Sequence, residues 1–405
     1  MLPSSWDNAL GLDTGDFVWH CRVSRKGEYV KSVGRDVLQE VMALVDDVAD
    51  SSDRIDAGRR LPDDLVAKLK SAGAFRALIP TVYGGLEARF EDYVLAIQAL
   101  AQADASTAWC VNQAAVIGVT SLWLQEEAIR EIWSDPDTSV ANGPPFDAAI
   151  RVKDGQYVLD GHWGFSSGCQ HSVWMMATAK CSEGGYRIAY FRPNHVEFID
   201  NWQVAGLRGT GSFEFRIHEL EVPSDKVADM MLPATHLADI TLMPNTLLFA
   251  TSFAAVALGV AKGAMQDVID LAQGKIPRWT SVKVKDDPDV QRFVGKATAR
   301  WRAADSYLHR TLERVFAELR ETGEVTHDMR GEMRMAGTHV IQECAEVVEL
   351  AYKISGSTGI YQDQRLQRRF QDMHVITQHV QGREAYFAAL GRHQLTGHYE
   401  LGPMM

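Results

Sequence analysis

The spacing of apolar residues changes twice along this chain of 405 residues, and that change constrains the fold more than any other feature. Between about residues 32 and 135, apolar residues recur every three or four positions, which is the repeat of an amphipathic helix. From about 145 to 220, short alternating runs replace that repeat, and Asp154-Gly155 between two of them predicts a β-hairpin turn. After Pro223 the helical repeat returns and predicts four long helices to about residue 395, with a break near residues 286–288.

Helices, then strands, then helices, without regular alternation of the two, indicate segregated domains rather than a doubly wound parallel sheet. We therefore expect a helical domain over residues 32–138, a β domain over 139–236 and a helical bundle over 237–405. Residues 1–31 fit neither pattern and form an unassigned N-terminal extension.

The composition excludes several classes of partner. A formal net charge of −12 argues against nucleic acid and against anionic membrane surfaces, because both require clustered positive charge. The five cysteines are scattered, and their spacing predicts neither a disulfide scaffold nor a zinc site, so a reducing cytoplasm is expected. The first 16 residues lack the pattern of a signal peptide. The apolar run 246–261 is shorter than the roughly 20 residues of a membrane span and predicts a buried core helix.

Several familiar sites are also disfavoured. No glycine-rich fingerprint leads from a strand into a helix, so a nicotinamide site is not expected, and Gly209-Thr210-Gly211 leads into a strand instead. His374 and His379 are five residues apart, which does not place two imidazoles on one helical face, and no metal site is predicted. Residues 164–168 match the GxSxG pattern, but a strand follows them where a serine hydrolase has a helix.

The segment 161–171, Gly-His-Trp-Gly-Phe-Ser-Ser-Gly-Cys-Gln-His, combines aromatic and hydroxyl side chains between two predicted strands. Such a segment suits a flat heteroaromatic ligand, because rings stack on it while hydroxyl and amide groups bond its edge. An ordinary hairpin with aromatic core residues explains the same pattern equally well. The segment alone does not decide between the two.

Over residues 35–395 the chain resembles the acyl-CoA dehydrogenase superfamily. This resemblance implies an N-terminal helical domain, a middle β-barrel and a C-terminal four-helix bundle. The matching segments, in order, are 80–85 (Pro-Thr-Val-Tyr-Gly-Gly), 104–109 (Asp-Ala-Ser-Thr-Ala-Trp), 155–161 (Gly-Gln-Tyr-Val-Leu-Asp-Gly), 206–212 (Gly-Leu-Arg-Gly-Thr-Gly-Ser) and 359–372.

The dehydrogenases of this superfamily remove a proton with a glutamate, which this sequence lacks. At one family position of that base stands Val380, and at the other, near Phe249, residues 240–265 contain neither Asp nor Glu. Neither side chain can accept a proton. The family's substrate-gripping Gly-Ser-Asp segment is also replaced, by Asn-Gly-Pro-Pro-Phe at 142–146. An acyl-CoA dehydrogenase or oxidase with a displaced base is therefore an alternative, and a non-catalytic flavoprotein is a further one.

The flavin-dependent oxygenase branch is the better match. Its members resemble this chain in Trp-x-Phe-x-Ser-Gly at 163–168, in Leu-Arg-Gly-Thr-Gly-Ser at 207–212 and in histidines after an Arg-Asp pair, here Gln371-Asp372. The resemblance implies the oxygenase component of a two-component monooxygenase, a homotetramer that receives reduced FMN or FAD from a separate flavin reductase. Reduced flavin and O2 would form a C4a-hydroperoxide that hydroxylates a phenolic, polycyclic or indole-like substrate.

The same resemblance implies the site residues. Ser167 would bond the flavin N5 through its hydroxyl or amide, and His379, neutral and poised near physiological pH, would accept the substrate's proton, unless it is a capping or core residue. Arg278 would reach a neighbouring subunit's flavin phosphate, unless it is merely solvated. Trp109 has core packing as its alternative, and His374 has a structural bond to Asp372. The implied flavin-binding residues are Trp163, Phe165, Ser166, Ser167, Arg208, Gly209, Thr210, Arg278, Gly356 and Gly359, and the implied substrate-binding residues are Trp109, Asn112, Gln113, Asn142 and His374.

Overall fold

A computed structural model describes residues 37–153 and 155–398, so the unassigned extension and Asp154 of the predicted turn lie outside the described residues. The helices are α1 Val37–Met42, α2 Val45–Gly58, α3 Asp63–Ser71, α4 Phe90–Ala103, α5 Ala105–Gly118, α6 Glu126–Trp133, α7 Asp239–Leu242, α8 Asn245–Gly274, α9 Pro288–Thr322, α10 His327–Ser355, α11 Arg365–Thr377 and α12 Ala385–Thr396. The strands are β1 Val140–Gly143, β2 Pro145–Lys153, β3 Gln156–Ser166, β4 Trp174–Cys181, β5 Tyr186–Phe191, β6 Glu197–Ile199, β7 Phe213–Val222 and β8 Val227–Ala228. The predicted order of helices, strands and helices is confirmed, whereas the exact domain boundaries stay predictions.

The first helices begin where local chemistry favours a helix start. Pro62 precedes two acidic residues at the start of α3, which interact favourably with the positive end of the helix dipole. The carboxylate of Asp104 caps α5 by accepting from the Thr107 amide at 2.7 Å. The helical repeat of apolar residues continues through residues 37–48, but the helix itself is broken at Leu44, whose amide bonds the Val41 carbonyl three residues back at 3.0 Å.

The strands form one mixed sheet in the order β6-β7-β3-β2-β4-β5-β8, with β1 pairing parallel to β4. The predicted hairpin is confirmed in its pairing, since Lys153 lies opposite Gln156 and Gly155 has a φ of 79°. Side chains of six strands share one core that includes Trp163, Met175 and Phe215. The sheet therefore rolls around a single interior, while β6 and β8 remain its two ends among the described strands.

Helix α8 is the central helix of the C-terminal part and packs on α4, α5, α10 and α11. It is long and apolar enough to cross a membrane, but 89% of its most apolar stretch is buried inside the protein, as expected for a core helix. Gly259 permits the close approach of α4, because a Cβ there would lie 2.3 Å from the Gln98 carbonyl oxygen. The C-terminal part differs from the four long helices expected, since the described chain has three long helices, α8 to α10. The short α7 precedes them, and the shorter α11 and α12 follow them.

Candidate active site

A chain of hydrogen bonds begins at the end of β3 and runs into the loop before β7. The Trp109 indole donates to Ser167 Oγ at 3.1 Å, and Ser167 Oγ lies 2.7 Å from Ser212 Oγ. Ser212 Oγ lies 2.7 Å from Thr210 Oγ1, which donates to the Leu207 carbonyl at 2.8 Å. The three hydroxyl side chains are buried. Ser167 is thus held by a helix on one side and by the 207–212 loop on the other.

Asp372 of α11 fixes the start of that loop. Its carboxylate accepts from the Leu207 amide at 2.6 Å, and Leu207 itself has the unusual left-handed φ of 50°. Burial is the main reason that the pKa of Asp372 is raised to about 7, and the carboxylates of Asp104 and Asp56 add to the shift. The Leu207 hydrogen bond and the Arg368 guanidinium act in the opposite direction. Near neutral pH this buried carboxyl group is therefore partly protonated.

This raised pKa predicts a pH-dependent stability effect. The folded protein keeps a proton on Asp372 that the unfolded chain releases above about pH 4, so the wild type should lose stability as pH rises from about 4 to 7. Asp372→Asn keeps an oxygen acceptor for the Leu207 amide but carries no charge. We expect the variant's melting temperature to rise relative to wild type across this window and the difference to level off above it. Thermal melts at about pH 5 and about pH 8 check this, and an equal difference at both would contradict it.

The rings of Trp109, Phe253 and His379 meet beside Ser167. The Trp109 and Phe253 centroids are 4.0 Å apart, and His379 lies edge-to-face with both, at 5.2 Å from Trp109 and 4.7 Å from Phe253. Phe249 stacks on Phe253 at 5.5 Å, one helical turn along α8. These contacts create an aromatic wall of stacked rings with one imidazole at its edge, which we call the ring cluster.

His379 follows α11 and begins a short turn, where its Nδ1 accepts from the Gln381 amide at 3.5 Å. A neutral imidazole whose Nδ1 accepts must carry its proton on Nε2. Burial lowers the pKa of His379 to about 4, and the positive charges of Arg334 and Arg383 lower it further. The neutral state of His379 agrees with the expectation. The expectation that its pKa lies near physiological pH was wrong.

Arg334 supports this turn from α10. Its side chain is fully buried and donates to the Gln381 side-chain oxygen and, at 3.4 Å, to the Thr246 carbonyl. The guanidinium also lies over the Tyr386 ring at 4.4 Å. Burial lowers the pKa of Arg334 to about 10, so the group remains positively charged at neutral pH. A fixed positive charge therefore lies behind His379.

Both positions that hold the base in dehydrogenases lie at the ring cluster. Val380 directly follows His379, and Phe249 stacks on Phe253. Neither of these apolar side chains could remove a proton from a substrate.

Three predicted substrate-binding residues are close together. Asn112 lies one helical turn from Trp109 on α5, and its side-chain oxygen accepts from the Tyr93 hydroxyl at 3.1 Å. Asn112 is fully buried, and its amide nitrogen has no hydrogen-bond partner among the described residues. Gln113 donates to the Asn142 side-chain oxygen, which links α5 to β1. The buried amide of Asn112 is an available donor beside the ring cluster.

Trp163 does not lie where we expected. It is fully buried in the core of the sheet, stacked on Phe215 at 5.0 Å, with its indole donating to the Thr178 carbonyl at 3.0 Å. The indole therefore belongs to the core of the sheet rather than to the ring cluster. A shift in strand register between Trp163 and Ser166 separates it from Phe165, which has a φ of 55° and is 47% exposed. Ser166 is fully buried and pairs with Phe213.

His374 is also remote from the ring cluster. Its Nε2 lies 3.0 Å from a carboxylate oxygen of Glu349 on α10, and its exposed side chain packs against Phe370. The alternative bond to Asp372 is not present, and none of the ring contacts that define the ring cluster involves His374. The helical repeat explains this, because residues 372 and 374 are two positions apart and face different sides of α11.

Arg208 and Gly209 contact the protein rather than an open site. Arg208 pairs with Asp56 of α2 at 3.3 Å, and a Cβ on Gly209 would lie 2.1 Å from the Ile55 side chain. Glycine is therefore required where the loop crosses α2. Of the predicted loop residues, Thr210 alone takes part in the hydrogen-bond chain to Ser167.

Arg278, Gly356 and Gly359 lie in two segments at one end of the helical bundle. Arg278 is exposed in the loop between α8 and α9, and Lys275 of that loop donates to the Ser355 carbonyl and to Thr358 Oγ1, the latter at 2.7 Å. Gly359 cannot be replaced without a clash, since a Cβ would lie 2.0 Å from Ser355 Oγ. Exposed apolar side chains flank these segments: Ile276, Trp279, Val282, Ile360 and Tyr361.

The ring cluster fits a flavin ring system on two observations. The Asn112 amide is a buried donor that lacks a partner among the described residues, and flat ring carbonyls are suitable acceptors for it. The Ser167 hydroxyl lies beside stacked aromatic rings at the end of a strand. The groups at this site that the sequence patterns did not reveal are Phe253, Ser212, Gln381 and Arg334.

Comparison with known proteins decides the family. The family models for the acyl-CoA dehydrogenase N-terminal and C-terminal domains match residues 34–132 and 251–384. The oxygenase subunit HsaA of a flavin-dependent monooxygenase from Rhodococcus jostii is 27% identical over 361 residues, covering 85% of this chain and 94% of the relative. An indole-3-acetate monooxygenase from Acinetobacter baumannii is 30% identical over 328 residues, covering 78% and 83%. The chain belongs to the flavin-dependent monooxygenases of the acyl-CoA dehydrogenase family.

The fold of this monooxygenase agrees with that assignment. The crystal structure of the HsaA monooxygenase from M. tuberculosis matches with a TM-score of 0.84 and 26% identity, over 91% of this chain and 99% of the other. The monooxygenase is an oxygenase component that uses reduced flavin and O2 and depends on a separate flavin reductase. The enzyme class, cofactor and fold expected from the sequence are thus confirmed. The relatives support neither the dehydrogenase nor the non-catalytic alternative.

Proposed function

We propose that this monooxygenase hydroxylates a small aromatic substrate of the phenol class at the ring cluster. The observation that carries the proposal is the neutral His379, which offers an Nε2–H donor at the edge of an aromatic wall. A flat substrate would pack against the Trp109 and Phe253 rings. The name of the indole-3-acetate monooxygenase supports an aromatic substrate, since that relative acts on an aromatic compound.

When bound, reduced flavin supplies two electrons to O2, so that one oxygen atom enters the substrate and the other leaves as water. We assign Ser167 to hold the flavin N5 edge, because its hydroxyl is fixed by Trp109 and Ser212 beside the ring cluster. Its backbone amide already donates to the Phe165 carbonyl at 2.9 Å, which leaves the hydroxyl as the group that contacts flavin. The apolar walls of the cluster exclude water from the reacting atoms.

His379 would donate its Nε2–H to the substrate's ring oxygen. The positive charges of Arg334 and Arg383, which lower the pKa of His379, also favour negative charge on that oxygen. A phenol that binds as the phenolate, with its proton released to solvent, has a more electron-rich ring and is therefore a better oxygen acceptor. An indole presents its own N–H in this position, where it would face the Nε2–H without a hydrogen bond. The electrostatics therefore favour phenols over indoles.

The exposed end of the bundle supports a proposal for the assembly. We assign Arg278, Gly356 and Gly359 to the contact with a neighbouring subunit and its flavin, in a homotetramer. The exposed apolar side chains of Trp279 and Tyr361 beside them support a buried interface. Reduced flavin would arrive from the reductase by diffusion, and FMN or FAD would serve. The four described cysteines are buried free thiols, which supports a cytoplasmic location.

A single-turnover panel tests the proposal. The protein is mixed with chemically reduced FMN or FAD, O2 and one compound from a set of matched phenols and indoles, and hydroxylated product and H2O2 are quantified. We expect hydroxylated phenol to exceed hydroxylated indole, with the balance of the reduced flavin released as H2O2. Preferential hydroxylation of indoles would contradict the assigned role of His379, and formation of H2O2 alone with every aromatic compound would contradict the aromatic substrate.

A further inference from the structure

The direction of every hydrogen bond in the chain at Ser167 follows from counting protons. Oxygen atoms that approach to 2.7–2.8 Å share one proton, and a carbonyl has none to give. The Thr210 proton must therefore lie toward the Leu207 carbonyl, which makes Thr210 the acceptor from Ser212. Since the Ser212 proton is then used, Ser212 accepts from Ser167. The three contacts between oxygen atoms use all three hydroxyl protons, and one assignment of donors and acceptors alone satisfies all three contacts.

Ser167 is consequently an acceptor toward any further group. Its single proton is donated to Ser212, and one of its two lone pairs accepts from the Trp109 indole at 3.1 Å. The second lone pair has no hydrogen bond within the part of the chain that the structure describes. A ligand that meets this oxygen must therefore bring its own N–H or O–H to form a bond.

The two redox states of flavin differ at N5 in this respect. The N5 of a reduced isoalloxazine carries a hydrogen and donates, whereas the N5 of an oxidised isoalloxazine has only a lone pair and accepts. We propose that Ser212 and Thr210, through the hydrogen-bond chain from Trp109 to Leu207, hold Ser167 as an acceptor and so set how strongly the site selects reduced over oxidised flavin. This inference rests on the proposed contact between Ser167 and N5. Ser212 and Thr210 are then positioning residues, which act through Ser167.

This selectivity suits an oxygenase component that receives reduced flavin and must release the oxidised form. Oxidised flavin can gain a bond from Ser167 only if the hydroxyl proton turns away from Ser212, which sacrifices an existing hydrogen bond. A net hydrogen bond corresponds to roughly a threefold to tenfold difference in affinity. The chain should therefore contribute about that factor to the preference for reduced flavin.

The experiment measures dissociation constants for both redox states in four variants. Oxidised FMN and FAD are titrated in air by fluorescence quenching, and the chemically reduced forms are titrated without oxygen. Ser212→Ala removes the acceptor of the Ser167 proton. Thr210→Val removes the acceptor of the Ser212 proton, so that Ser212 can donate to Ser167 instead. In both variants Ser167 becomes free to donate, and we expect oxidised flavin to bind about threefold to tenfold more tightly relative to reduced flavin.

Two comparisons distinguish this effect from a loosened loop. Ser167→Ala should weaken the binding of reduced flavin without strengthening the binding of oxidised flavin, because it removes the hydroxyl both as a donor and as an acceptor. Ser252→Ala is the matched control, since Ser252 is equally buried and bonds the Leu248 carbonyl in its own helix at 2.7 Å. This variant should leave the ratio of the two flavin dissociation constants unchanged. The potential of bound flavin should fall by about 30 mV for a tenfold loss of selectivity, which provides an independent measurement.

The inference would be overturned if Ser212→Ala and Thr210→Val left the ratio of the two dissociation constants unchanged, or weakened the binding of both redox states equally. A wild type that binds oxidised and reduced flavin equally would also overturn it. These outcomes are separate from failure of the proposed function. If the protein hydroxylates a substrate but Ser212→Ala leaves the ratio of the two flavin dissociation constants unchanged, the redox selectivity alone is refuted. If it binds reduced flavin selectively but hydroxylates no aromatic compound, the proposed function alone is refuted.

Discussion

His379→Ala is expected to lower the rate of hydroxylation per bound flavin by about 10²- to 10³-fold, the typical cost of removing a donor to developing negative charge. His379→Gln should keep the rate within about tenfold of the wild type, because its side-chain amide still donates a hydrogen bond. The amide cannot act as a base near neutral pH. The comparison separates the donor role from the proton-acceptor role that the sequence predicted. Rapid-mixing measurements of product formed in one turnover, normalised to bound flavin, provide the rates.

His374→Ala is the matched control, because His374 is the neighbouring histidine on α11 and pairs with Glu349 at the surface. It should leave the rate unchanged. Since the pKa of His379 is lowered to about 4, the rate should also show no titration of this group between about pH 5 and pH 9. Equal loss in the alanine and glutamine variants, together with a pH limb near 6 or 7, would restore the proton-acceptor role.

The second large effect concerns the source of electrons. With NADH and oxidised flavin, the isolated chain should turn over at least about a hundredfold more slowly than the same mixture with a flavin reductase added. Hydride transfer requires a site that orients the nicotinamide against the flavin, and no dinucleotide fingerprint occurs in the sequence. Oxygen consumption and NADH absorbance follow the reaction. Photoreduced flavin without NADH should replace the reductase, whereas rapid NADH oxidation by the chain alone would contradict this account.

The order of elements could be predicted from the sequence because it depends on short-range periodicity. The Pro62 start of α3 and the pairing of Lys153 with Gln156 follow from local chemistry of the same kind. The break at Leu44 could not be predicted, since the apolar face continues through it, and α1 and α2 both pack on α4. Periodicity specifies a buried face but not where a helix must bend to reach its neighbours.

The site was predictable only in part, for physical reasons. Ser167 and His379 were identified, but they come together with Phe253 through contacts between residues far apart in the sequence. Trp163 lies in the core of the sheet, and the register shift that follows it in β3 leaves Phe165, not Trp163, exposed. The low pKa of His379 depends on burial and on the charge of Arg334 from another helix, which no local pattern shows.

The central claim is that O2 is activated on reduced flavin and one of its atoms enters an aromatic substrate at the ring cluster. A single turnover under oxygen-18 gas, with chemically reduced flavin and the best phenol of the panel, tests this most directly by mass spectrometry of the product. The account predicts one labelled oxygen atom in each product molecule, with labelled product lost in His379→Ala and retained in His379→Gln. Unlabelled product, or label found only in H2O2 while the substrate is recovered unchanged, would contradict it.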